Sequence, residues 1–112
     1  MYQYAATLDR VVDGDTVDFD IDLGFDIHVM QRVRLLGVDT PERGQEGFDE
    51  ATVALEEKLI KADRIEVWTS KTGKYGRYLG DIYTTSTGEN GEIRTTHINP
   101  WIIQMGYGVK YE

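Results

Sequence analysis

Asp15, Asp39 and Glu42 are the acids of this chain best placed for chemistry, because each falls where a β-run stops. In Arg34-Leu35-Leu36-Gly37-Val38-Asp39-Thr40-Pro41-Glu42, the residues Val33, Leu35 and Leu36 suit a covered strand. Pro41 has no N–H to give a ladder, so pairing should stop near Thr40 with a carboxylate on either side of the break. In Val11-Val12-Asp13-Gly14-Asp15-Thr16-Val17, the Asp-Gly pair signals a turn between apolar runs. Beyond it, Val17, Phe19, Ile21 and Leu23 mark one strand face, and Asp18, Asp20 and Asp22 the other. Asp15 shares the parity of Val17 and Phe19 and so points inward, which is costly unless a cation or metal pairs with it. A third fragment, Lys74-Tyr75-Gly76-Arg77-Tyr78-Leu79, sets a base and an aromatic after a Gly-containing turn. Hard carboxylate oxygens from different strands suit one Ca²⁺ completed by a backbone carbonyl and waters. A guanidinium, always charged and forked, suits phosphate oxygens. Taken one at a time these residues have plainer readings: Asp13 and Asp15 as turn formers, Arg34 in a surface ion pair, Glu42 as a solvated loop acid.

The elements that must hold these residues follow from periodicity. Residues 3 to 12 read as a first strand, 16 to 23 as a second and, after a turn or bulge at Gly24, 27 to 36 as a third; three sequential antiparallel strands make a meander. After the polar loop 42 to 47, Phe48, Ala51, Leu55, Leu59 and Ala62 recur at helical spacing, with Glu50, Glu56, Glu57, Lys58 and Lys61 on the rest of the surface. This predicts an amphipathic helix of about four turns packing one stripe on the strands. Arg64 to Thr69 alternates as a fourth strand and Tyr78 to Thr84 as a fifth. Residues 85 to 92 have the composition of a hairpin tip, and 93 to 98 form a short returning strand. Asn99-Pro100 then reads as a helix start with Asn as N-cap, Trp101, Ile102 and Met105 as the apolar face, and Gly106 as the stop. Trp68 and Trp101 read as core. His28 and His97 carry no role, and the tail from Tyr107 is too short for another packed helix.

Together the motifs DGDT, RLLGVDTPE and KYGR, in this order between residues 13 and 77, resemble the staphylococcal nuclease family of calcium-dependent nucleases. The strand and helix pattern agrees over residues 3 to 111. The resemblance implies a mainly β fold with α: a small five-stranded Greek-key OB-fold barrel with one amphipathic helix after strand 3, a short helix near the C-terminus, and residues 1–112 forming a single domain. It implies that Asp15, Asp39 and the Thr40 carbonyl hold Ca²⁺, that Glu42 activates water, and that Arg34 and Arg77 grip the scissile phosphate. Lys74 and Tyr75 then contact the outer phosphate and base of the nucleotide, and Asp13 sits beside the metal. Tyr107 and Tyr111 receive no assignment. The activity implied is hydrolysis of phosphodiester bonds in DNA and possibly RNA, with single strands preferred and the protein a monomer.

Composition limits these expectations. The chain has 112 residues, enough for one core without staples, and no cysteine, which excludes disulfides and thiolate metal sites. No stretch reaches membrane-spanning length and the first residues lack the pattern of an export signal, so a cytoplasmic or phage-encoded protein is expected. The net charge of −8 is awkward for a protein that binds phosphates. Its excess is concentrated, since residues 1 to 31 hold seven Asp against one Arg. Three of those acids lie on the polar face of one strand, where solvation is the ordinary outcome. The acidic balance keeps open a rival reading, a non-catalytic OB-fold module binding nucleic acid or a protein partner. A third reading is a barrel whose acids hold calcium for stability alone.

Overall fold

Apolar residues at alternate positions build the sheet, and bulges bend it closed. The structure, a computed structural model, describes residues 2–72 and 78–111. Strand β1 (Tyr2–Asp13) is long enough to pair along its first half with β5 (Arg64–Thr72) and along most of its length with β2 (Thr16–Asp22). Register shifts between Leu8 and Arg10 and between Val11 and Asp13 give β1 the local twist that lets one strand serve two edges. Strand β3 (His28–Leu35) runs antiparallel to β2 and then parallel to β6 (Tyr78–Thr87), Val33 facing Tyr78 and Leu35 facing Gly80. With β5 beside β6, this pairing closes β1, β2, β3, β5 and β6 into a five-stranded barrel. Strand β7 (Ile93–His97) adds to β6 beyond the point where β3 departs. The mainly β barrel with two helices is the OB-type architecture expected from the sequence.

The inward parity read from the sequence is the core within the strands, while Leu23 and Leu36, read with it, are exposed because β2 ends at Asp22 and β3 at Leu35. Val17, Phe19, Ile21, Val33, Leu35, Val67 and Ile82 are all buried. Helix α1 (Phe48–Ile60) lays Ala51, Leu55 and Leu59 on the barrel at intervals of four residues. Asp49 and Glu50 in its first turn and Lys58 in its last complement its dipole. Among the described residues no helix is long and apolar enough to cross a membrane.

The second helix differs from expectation. Helix α2 spans Ile98–Gln104 with His97 at the N-cap, so Asn99 lies inside the first turn and does not cap it. Its amide is 4% exposed and turned into the barrel wall: Ile82 N–H donates to Asn99 Oδ1 at 3.0 Å, while Asn99 Nδ2 donates to the carbonyls of Leu36 at 2.9 Å and Gly80 at 3.1 Å. This is the gap between β3 leaving β6 and β7 joining it, where backbone groups would otherwise be buried without partners. Met105 is exposed rather than on the helix's buried face, because α2 ends at Gln104.

One further expectation shifts. Trp68 lies half-buried on the outer face, its ring 4.5 Å from that of Tyr83, which stacks in turn on His97 at 4.4 Å. His97 Nε2 lies 2.8 Å from Asp81 Oδ1 and His28 Nδ1 2.9 Å from Asp20 Oδ1, so each histidine has a carboxylate partner. The polar face of β2 is also paired, for Arg32 donates through Nε and Nη2 to both oxygens of Asp18 at 2.8 and 3.1 Å. Those bonds hold Asp18 below the ordinary carboxylate value. A group with a lowered folded pKa contributes stability above its unfolded value of 3.8, and that stability is lost as pH falls through the folded value. Arg32→Ala is therefore expected to cost under about 1 kcal/mol at neutral pH and nothing once Asp18 is protonated, as checked by urea melts across the acid range.

Candidate active site

The turn between β1 and β2 brings its acids against the strand that follows β3. Asp13 pairs with Thr16, so Gly14 and Asp15 form the tip, tied by the Asp15 N–H donating to Asp13 Oδ1 at 3.0 Å. Gly14 is required here by contact. A Cβ at this position would lie 2.8 Å from the Ala51 Cβ and 2.9 Å from the Thr40 Oγ1, so the turn packs directly on α1 and on Thr40. Gly37, at φ +76, reverses the chain after β3 and starts the two-residue strand β4 (Val38–Asp39).

Asp15 is 6% exposed and fully engaged. Its Oδ1 accepts from Thr16 Oγ1 at 2.9 Å, and its Oδ2 accepts from the Thr40 N–H at 3.0 Å and from Arg34 Nη2 at 3.4 Å. The same Nη2 donates to Asp39 Oδ1 at 3.3 Å. Two carboxylates, one from the β1–β2 turn and one from β4, thus face a common point occupied by one guanidinium nitrogen. Both distances exceed the 2.7–2.9 Å usual for charge-assisted bonds, so Arg34 bridges the pair without closing tightly on either. Asp13, half-buried next to Asp15, is pushed up to about 6, chiefly by burial and then by its hydrogen bonding with Asp15 and the like charge there. Excess negative charge in a partly dry turn is the condition that a bound cation relieves.

The C-terminal tail completes this wall. Strand β8 (Val109–Lys110) pairs with β4, Val109 opposite Asp39, and the Tyr111 N–H donates to the Gly37 carbonyl at 2.9 Å. Tyr111 lies under Arg34, its ring centroid 5.1 Å from the guanidinium carbon, in cation–π range. The sequence left Tyr111 without an assignment, because the pairing that places it joins residues far apart in the chain; only an aromatic in a short polar tail marked it. Thr16, whose hydroxyl holds Asp15, was likewise read only as part of the turn motif.

Glu42 follows the break at Pro41 with an exposed side chain. Its backbone is anchored on both sides by Gln45, whose Oε1 accepts from the Glu42 N–H at 2.8 Å and whose N–H donates to the Glu42 carbonyl at 2.9 Å. Lys74, Tyr75 and Arg77 lie outside the described residues. Of the candidates, then, Asp13, Asp15, Arg34, Asp39 and Thr40 form one contiguous cluster, with Glu42 two residues beyond Thr40.

The family described as staphylococcal nuclease homologue matches residues 32–112, which include RLLGVDTPE and the tail. The chain belongs to the staphylococcal nuclease family. It is 30% identical over 102 residues to a micrococcal nuclease of Shigella flexneri, a match covering 91% of this chain and 55% of that protein. An uncharacterized endonuclease of Escherichia coli O157:H7 is 27% identical over 103 residues, covering 92% of this chain and 58% of the relative. Protein ParB of Escherichia coli is 28% identical over 102 residues, covering 91% and 54%. The chain thus spans a little over half the length of each of these staphylococcal nuclease relatives.

Two carboxylates of this cluster are of the kind that could hold a hard cation. Asp15 and Asp39 are hard oxygen donors turned toward the same point, which already holds a positive group. Among the described residues no group of three His, Cys, Asp or Glu side chains gathers to hold an ion. A site on this cluster therefore needs main-chain oxygen and water beside its two carboxylates, the completion that hard cations accept.

Proposed function

We propose that this chain is a calcium-dependent nuclease unit that hydrolyses phosphodiester bonds in DNA, and in RNA, with a preference for single strands, acting as a monomer. The observation that carries the reading is the convergence of Asp15 and Asp39 on one nitrogen of Arg34. It joins a cation-attracting pair of acids to a phosphate-binding base within a single hydrogen-bonded group. The names of the relatives, two nucleases among them, support the same activity.

In this reading Asp15, Asp39 and the carbonyl of Thr40 hold the ion, with Asp13 beside them. When bound, calcium supplies Lewis-acid stabilisation of charge on the phosphoryl oxygens. Arg34 and Arg77 fork onto those oxygens, while Lys74 and Tyr75 hold the adjoining phosphate and base. Glu42 removes a proton from the water that attacks phosphorus. The bond from phosphorus to the leaving sugar oxygen breaks, that oxygen takes a proton from solvent, and the products are a phosphate monoester and an alcohol. Thr16, the Thr40 N–H and Tyr111 act earlier, by holding Asp15 and Arg34 in place before substrate arrives.

The test is incubation with single-stranded DNA in calcium and in chelator. Calcium-dependent cleavage is expected; intact DNA at high protein concentration would replace the enzyme with the binding module that the charge of −8 favours. Arg34→Lys is expected to lower kcat/KM by about a hundredfold, because a lysine offers a point charge where a planar fork spans two oxygens. The metal assignment has a readout that needs no catalysis. Calcium at about a hundred times its dissociation constant stabilises a protein that binds it by about 2.7 kcal/mol. Asp15→Asn and Asp39→Asn should each erase that shift in melting temperature, and a shift that survived both would move the ion elsewhere.

A further inference from the structure

Asp15 is 6% exposed, and a carboxylate so placed needs positive charge beside it. Its contacts are unequal. Thr16 Oγ1 holds Oδ1 at 2.9 Å and the Thr40 N–H holds Oδ2 at 3.0 Å, both ordinary hydrogen-bond lengths. Arg34 Nη2 stands farther off, 3.4 Å from Asp15 Oδ2 and 3.3 Å from Asp39 Oδ1. The charged contacts are thus the longest of these bonds, and the ones that give way first.

Arg34 has a second support. Its side chain is 14% exposed, and the Tyr111 ring lies 5.1 Å from its guanidinium carbon. Tyr111 is tied through its N–H to the carbonyl of Gly37, on the reversal that leads into Asp39, so the ring and the acid share one anchor. Cation–π attraction fixes no bond direction, so the ring can keep hold of the guanidinium while Nη2 turns from the acids.

A hard dication draws on the same carboxylates. It takes oxygens at about 2.3–2.6 Å, nearer than either Nη2 contact. Two positive groups on one pair of acids repel each other, and more strongly in a partly dry turn than in water. The pair has two claimants and full accommodation for one.

We propose that Arg34 is the built-in counter-ion of Asp15 and Asp39 and competes with the divalent cation for them, so that Nη2 leaves the acids for the phosphate when the cation binds. The inference rests on the metal assignment proposed above and deepens it. The guanidinium steadies the acids before the ion arrives, limits how tightly they hold it, and is released toward substrate by the same event.

The experiment is calorimetric titration with calcium chloride, without nucleic acid, of the unmodified protein and of Arg34→Met, Arg34→Gln and Arg34→Lys. Removing the charge is expected to tighten calcium binding about tenfold, equivalent to about 1.4 kcal/mol. Arg34→Lys keeps the charge and should stay within about twofold of the unmodified protein. Melting curves give a second readout. Without calcium both neutral variants should melt lower than the unmodified protein, because the acids have lost their partner, and saturating calcium should close that gap. An arginine that served structure alone would lower the melting temperature equally with and without the ion. Arg34→Gln keeps the comparison available if Arg34→Met does not fold. Asp15→Asn, alone and combined with Arg34→Met, subtracts calcium held elsewhere on a chain of net charge −8. Calcium affinity that is unchanged or weaker in the neutral variants, while Asp15→Asn still abolishes it, overturns the proposal and leaves the metal assignment standing. Calcium that binds none of these proteins, or binds Asp15→Asn as tightly as the unmodified chain, overturns the metal assignment and this inference with it.

Discussion

Glu42→Gln is expected to lower the cleavage rate by about 10²- to 10⁴-fold, the range lost when a positioned general base is removed. The exchange keeps size and hydrogen-bonding reach while taking away the group that accepts the proton. The calcium-induced rise in melting temperature and the affinity for oligonucleotide should both persist, because Glu42 contacts neither Asp15 nor Arg34 among the bonds that define the cluster. Its side chain is exposed while its backbone is clamped on both sides by Gln45. A base held by its backbone and loose at its tip should depend on that clamp, so Gln45→Ala is expected to give an intermediate loss of rate with unchanged calcium binding. Proton removal from water is the difficult step, so the rate should climb from about pH 6 to about pH 9. A flat profile over that range, or a Glu42→Gln variant that cleaves at full speed, would show that another group takes the proton.

Asn99→Ala should produce the largest loss of stability of any single change considered, about 3 kcal/mol. The substitution leaves the Ile82 N–H buried without its acceptor, at about 1–3 kcal/mol, and takes the amide donor from the part-buried Leu36 carbonyl, with an Asn-sized gap left in the wall. The Gly80 carbonyl is less affected, since it also accepts from the Leu36 N–H at 2.9 Å. Asn99→Asp should fare no better, because an ionised carboxylate would face two carbonyl oxygens where an amide now donates to them. Denaturant melts measure both. The damage should reach the site, since Leu36 lies two residues past Arg34 and its backbone sets the exit of β3. Loss below about 1 kcal/mol would mean that water replaces the amide in the seam.

Much of the barrel was legible because local rules and tertiary needs agree in it. Alternation along β2 separates Val17, Phe19 and Ile21 from three aspartates, and only one face of a half-buried strand can be dry. The four-residue spacing of Ala51, Leu55 and Leu59 admits a helix and little else. The inward aim of Asp15 followed from the same parity, and burial bears it out at 6% exposure. Asn99 misled for the converse reason: Asn before Pro is a strong local start signal, but an open seam in the barrel wall lies within reach. Satisfying buried backbone groups there outweighs capping a helix end that solvent can serve.

Residue types and spacing by themselves determined the strand faces, the two helices, the family and the acids placed at strand ends, because these depend on period, turn chemistry and motif order within short stretches. The tertiary structure alone decided that Asp15 and Asp39 share one nitrogen of Arg34, that Tyr111 returns beneath it, and that Gly14 is needed for contact. Each of those depends on strands distant in sequence meeting at a particular register, and no local pattern encodes the register of a partner it does not touch.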